Sequence, residues 1–89
     1  YKPGTFNTGF DVWVEKQEFS NDNKSFESEF RYYGNNEKFT VIVAMSDEKK
    51  DYKVTLNGTE IPYTLRDESA IEITIYASEE TENYKLTIN

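Results

Sequence analysis

Trp13, Tyr33 and Tyr76 are aromatic residues at positions where the surrounding alternation calls for a polar side chain. A flat ring held at a wet surface can stack on a sugar or anchor a protein partner. These three are therefore the candidate ligand-binding residues. A competing reading covers the first strand and makes Trp13 a core anchor. Carboxylates are the other groups able to do chemistry. Glu27 and Glu29 share one strand face, as do Asp11 and Glu15. Such pairs run glycoside chemistry only when one acid is sheltered in a cleft, and these read as the wet face of amphipathic strands. The chain has no histidine and no cysteine. That removes Ser-His-Asp triads, the usual base near neutral pH, thiolate nucleophiles and Cys-ligated zinc. The loops at Asn21-Asp22-Asn23 and Asp47 to Asp51 could offer oxygens to calcium, but turn chemistry accounts for both. No catalytic residue, metal site or cofactor is expected.

The elements that must position these side chains are short strands. Apolar and polar residues alternate through Phe26-Glu27-Ser28-Glu29-Phe30-Arg31-Tyr32 and through Ala70-Ile71-Glu72-Ile73-Thr74-Ile75-Tyr76. A period of two writes one buried and one wet face. Residues 1–9, with Pro3, Gly4 and Gly9, read as a lead-in linker to a domain over residues 10–89. The pattern then predicts seven strands, at about 10–16, 26–33, 38–46, 52–56, 60–65, 70–77 and 83–89. Phe10, Phe26, Phe30, Phe39, Tyr52, Tyr63 and Tyr84 fall in phase with the core. Phe39 to Met45 is apolar on both faces, so it is expected to be a central strand. Asn57-Gly58 predicts a tight hairpin, because both residues tolerate positive φ. Pro62 cannot donate a ladder hydrogen bond, which puts its strand at a sheet edge. The hexapeptides Tyr52 to Asn57 and Tyr84 to Asn89 echo one another, but their flanks do not match. The fold class this pattern predicts is all-β: one small antiparallel sandwich of about seven strands.

Composition narrows the function classes. At 89 residues the chain is one small domain. Its net charge of −7 disfavours nucleic acid and anionic membrane as partners. No apolar run approaches the ~18 residues needed for a spanning helix, so membrane insertion is not expected. A disulfide-free sandwich suits a bacterial surface or periplasmic module, or a cytosolic domain. The chain starts at Tyr1 without an initiator Met or signal peptide, so it is expected to be a processed piece of a longer protein.

Val54-Thr55-Leu56-Asn57-Gly58-Thr59, the strand Ile71-Glu72-Ile73-Thr74-Ile75-Tyr76-Ala77-Ser78 and the closing Tyr84-Lys85-Leu86-Thr87-Ile88 together resemble the C-terminal half of bacterial cadherin-like and other immunoglobulin-like surface repeats. The resemblance covers residues 39–89. The stretch from Phe10 to Phe19 departs from the family pattern, being richer in aromatics and charge. What the resemblance implies is a single immunoglobulin-like β-sandwich serving as a non-enzymatic structural, adhesion or binding module in an extracellular or cell-envelope protein. Its expected partners are neighbouring domains of a longer chain. Two further readings accompany it: a carbohydrate-binding module using Trp13 with Tyr33 or Tyr76, and a protein-binding or inhibitor domain using the Glu60–Leu65 edge.

Overall fold

A computed structural model describes all residues from Tyr1 to Asn89. Nine strands form two antiparallel sheets, with no helix. They are β1 (Thr5–Asn7), β2 (Val12–Phe19), β3 (Phe26–Tyr32), β4 (Lys38–Ala44), β5 (Val54–Leu56), β6 (Thr59–Ile61), β7 (Thr64–Leu65), β8 (Ala70–Tyr76) and β9 (Tyr84–Ile88). The four-stranded sheet runs β1-β4-β8-β7 and the five-stranded sheet β2-β3-β9-β5-β6. Every strand pair is antiparallel.

The alternation read in the sequence becomes the interior. From β4 and β8 come Phe39, Val41, Val43, Ile71, Ile73 and Ile75, all buried. Facing them are Phe26, Phe30, Tyr84, Leu86 and Ile88 from β3 and β9. Aromatic contacts join the sheets: the Phe30 and Phe39 rings meet edge-on at 6.2 Å, and Phe6 lies 5.0 Å from Phe26. Ser28 is buried among them, and its hydroxyl donates to the Lys16 carbonyl at 2.7 Å. A buried polar group satisfied in this way costs little.

Two extra strands separate the nine observed from the seven expected. Thr5–Asn7 lies inside the segment read as a linker, yet it pairs with β4 and sends Phe6 against the core. The return strand after the hairpin divides at Pro62: β6 stays with β5, and β7 crosses to β8 in the other sheet. Pro62 supplies no N–H for a continued ladder, so the chain changes partner there.

The first long strand also shifts, from about 10–16 to Val12–Phe19, and Phe10 is fully exposed instead of buried. Phe10 lies in a turn where the Val12 N–H donates to the Gly9 carbonyl at 3.4 Å, so the strand starts late, and a β-bulge further along then shifts its phase. Val12 and Val14 pair with Tyr32 and Phe30, then Glu15 is inserted, and Gln17 and Phe19 pair with Ser28 and Phe26. The extra residue moves the inward positions from even to odd numbers, so alternation counted from Phe10 runs out of phase by Phe19.

Asn57 and Gly58 have φ of 50° and 85°, the paired left-handed turn expected of them. Asn57 does more than turn the chain. Its Oδ1 accepts the Lys85 N–H at 2.7 Å, and its own N–H donates to the Lys85 carbonyl at 2.9 Å. Replacing Asn57 by Ala forfeits that acceptor and puts a Cβ-bearing residue without local hydrogen bonding in the left-handed region. The loss expected in urea unfolding is about 1–3 kcal/mol, most of it recovered in Asn57→Asp. The echoing hexapeptides turn out to be antiparallel neighbours: Thr55 faces Thr87, and Lys53 and Asn89 exchange backbone hydrogen bonds. A local two-fold relation between β5 and β9 explains why their inward and outward residues match.

Candidate functional site: a groove at one pole

Strands β3 and β8 end, and β4 and β9 begin, at the same pole of the sandwich, as the pairs Lys38–Tyr76 and Phe30–Tyr84 require. The connections 33–37 and 77–83 leave the sheets side by side there. Between them lies a groove of about 630 Å³, inside the roughly 300–1,000 Å³ range of small-ligand sites.

Two core tyrosines build its floor and hold its walls. The Tyr32 ring stacks on Phe39 at 4.0 Å with 9° between planes, and its Oη accepts the Asn36 N–H at 3.1 Å. The Tyr84 ring packs edge-on against Phe39 at 5.6 Å, and its Oη accepts the Ser78 N–H at 3.3 Å. Each tyrosine thus has its ring in the hydrophobic core and its hydroxyl under one wall. The Ala77 N–H donates to the Glu37 carbonyl at 2.8 Å, tying the walls at their base. Both turns are therefore set before any ligand arrives, which lowers the ordering cost of binding.

One wall offers Tyr33, Asn35, Asn36 and Glu37; the other offers Ser78, Glu79, Thr81 and Glu82. Arg31 stands at the groove's edge. Its Nε lies 2.9 Å from Glu15 Oε1, an ion-pair distance, but its N–H is not aimed at that oxygen and makes no hydrogen bond. Tyr33 foremost, and then the Glu15 charge, hold the guanidinium in its charged form and raise its pKa. The arrangement supplies amides, hydroxyls and carboxylates at close range and an aromatic ring at the rim. It can hydrogen-bond a polyhydroxylated molecule. Its acids stand exposed on the turns, without the shelter that acid–base work requires.

The candidate aromatics are 63%, 65% and 72% exposed at Trp13, Tyr33 and Tyr76. The reading of Trp13 as a core anchor therefore does not hold. Trp13 pairs across strands with Arg31 on the outer face of the five-stranded sheet, and the Tyr33 backbone N–H continues that ladder by donating to the Asp11 carbonyl at 2.7 Å. These two rings are diagonal neighbours, within reach of one another. Tyr76 is the cross-strand partner of Lys38 on the outer face of the other sheet. All three stand near the same pole, but Trp13 and Tyr76 look away from each other and cannot form one platform. Of the three, Tyr33 lines the groove.

A Trp13→Ala change is therefore expected to alter unfolding free energy by less than about 1 kcal/mol, read by urea titration with far-UV circular dichroism. The Glu60–Leu65 edge is split between two sheets into pieces of three and two residues, a poor template for a partner strand. In the Asn21–Asn23 loop, the Asp22 carboxylate is engaged by the Ser20 hydroxyl at 2.7 Å and the Lys24 N–H at 3.0 Å. These bonds, the hydroxyl first, lower its pKa. They are the bonds of a turn.

The chain matches no family model, no curated protein and no solved structure. Arg31, Asn35, Asn36, Glu79 and Glu82 did not stand out in the sequence, where they read as strand surface and turns. A signal was present in the tyrosines that bracket both turns, Tyr32-Tyr33 before one and Tyr84 after the other.

Proposed function

We propose that this domain is a non-catalytic β-sandwich binding module of an extracellular or cell-envelope protein, and that its ligand is a carbohydrate held at the pole groove. The observation that carries this reading is the preset groove itself, with hydrogen-bonding side chains on both walls and the Tyr33 ring at its rim. Sugars need this combination: donors and acceptors for hydroxyls and an apolar plane for the ring face. The resemblance of residues 39–89 to surface repeats supports the cell-envelope location and the role beside neighbouring domains.

The two-sheet antiparallel build supports the immunoglobulin-like comparison, but the strand order favours a different branch of sandwiches. An immunoglobulin sandwich pairs its second strand with its fifth. Here the pairs are nested: β3 with β9, β4 with β8, β5 with β6. Nested winding is the pattern of jelly rolls, a build used by lectin domains. That comparison is a fold-level analogy and adds weight only beside the groove.

The test is retention of the purified domain on a panel of insoluble cell-wall and plant polysaccharides, with soluble oligosaccharides as competitors. Tyr33→Ala should stay folded and lose binding by about threefold to tenfold, since one aromatic contact is worth about 0.5–1.5 kcal/mol. Trp13→Ala should weaken binding less. Failure of every glycan to bind the folded domain would overturn the reading.

A further inference from the structure

We propose that the pole groove prefers a positively charged sugar, an amino sugar bearing a free ammonium, over neutral and acidic glycans. This rests on the carbohydrate reading above and adds the ligand class. The groove's charge is lopsided. Arg31 is its one cation, and Glu15 sits beside it at 2.9 Å, offsetting its charge. Glu37 on one wall and Glu79 and Glu82 on the other take part in no ion pair. Carboxylates thus face the groove from both sides of a preset cleft and outnumber its one cation, which Glu15 and Glu82 already attract.

A sugar ammonium lying between the walls meets opposite charge on either side, while its hydroxyls face Asn35, Asn36, Ser78 and Thr81. The N-acetylated sugar has the same ring and hydroxyls but an uncharged amide in place of the ammonium, so it loses the charge contacts. A uronate adds a like charge, which the walls repel. Exposed ion pairs are each worth up to about fivefold in affinity and are screened by salt. Two acting together give a preference of about tenfold at low ionic strength.

The experiment is calorimetric titration of the whole domain with glucosamine, N-acetylglucosamine and galacturonate oligosaccharides of equal length, in low and high salt. The expected order is glucosamine tightest by about tenfold, with galacturonate weakest and the gap closing in high salt. The combined Glu37→Gln, Glu79→Gln, Glu82→Gln variant should bind the glucosamine and N-acetylglucosamine forms alike. A control carrying Glu18→Gln, Glu60→Gln and Glu68→Gln removes the same charge elsewhere, and should keep the preference. Circular dichroism verifies that both variants are folded.

Equal binding of the amine and acetylated forms by the native domain would overturn the charge preference and leave the carbohydrate reading standing. Loss of the preference in the control variant would overturn it too, by assigning the effect to the chain's overall acidity. Binding of no oligosaccharide would sink both readings together.

Discussion

A Phe30→Ala variant should lose about 3–5 kcal/mol of unfolding free energy, the range for truncating a buried aromatic. Phe30 is fully buried, and its ring meets Phe6, Phe39 and Tyr84 at 6.0, 6.2 and 5.7 Å. It is thus the point where β1, β4 and β9 all touch β3. Removing it opens a cavity that the surrounding rings cannot close together, because Phe39 is already held between Tyr32 and Tyr84. A domain of this size has about 4–13 kcal/mol in total at typical per-residue stability. The loss is therefore a large share, and the thermal midpoint should fall by about 15 °C or more. Phe10→Ala should change stability by less than about 0.5 kcal/mol, since its ring packs on nothing. Urea unfolding followed by far-UV circular dichroism separates the two. Trp13 fluorescence is a poorer reporter, because that ring is already in water. Equal costs for the two variants would contradict the assignment of the core.

The contrast between those two phenylalanines marks how far the sequence could be read. Strands with uninterrupted alternation, such as Phe26 to Tyr32 and Ala70 to Tyr76, lie where the pattern put them, with the expected face inward. Their period is local information, written in each residue and its second neighbour. The Asn57-Gly58 hairpin was legible for the same reason, since its turn chemistry is contained in two residues.

What escaped was set by distant partners. Glu15 becomes a bulge only because β3 offers one fewer residue opposite it, and nothing between Phe10 and Phe19 announces that. Thr5–Asn7 is a strand because β4 presents an open edge. The groove is further still from the local pattern. It exists because two turns, 33–37 and 77–83, meet at one pole, and their meeting depends on which strands pair. Exposure of Trp13, Tyr33 and Tyr76 could be read from phase. Their division between two opposite faces could not, since alternation says which side of a sheet a residue takes but not which sheet it joins.

Gly34→Ala is expected to damage the groove and the fold together, at about 1–3 kcal/mol for overpacking. The reason is space: a Cβ at Gly34 would overlap Tyr32 Oη and Cζ and Asp11 Oδ2. Asp11 is a short side chain near the surface and can move aside. Tyr32 cannot, because its ring is stacked on Phe39 and its hydroxyl holds the Asn36 N–H. The turn must therefore lift off the tyrosine, breaking that hydrogen bond and displacing Tyr33, Asn35 and Asn36 from the wall. Gly58→Ala provides the matched comparison. Nothing lies within 4 Å of a Cβ there, but its φ of 85° strains any side-chain-bearing residue, at a cost of about 1–3 kcal/mol. Stability falls by similar amounts in both variants, whereas glycan binding should fall about tenfold or more only in Gly34→Ala. Unfolding titrations and calorimetric binding on the same two proteins make the comparison direct. If Gly34→Ala bound as tightly as Gly58→Ala, the wall formed by residues 33–37 would have no part in recognition. If both variants lost binding equally, the loss would follow stability and not the geometry of the groove.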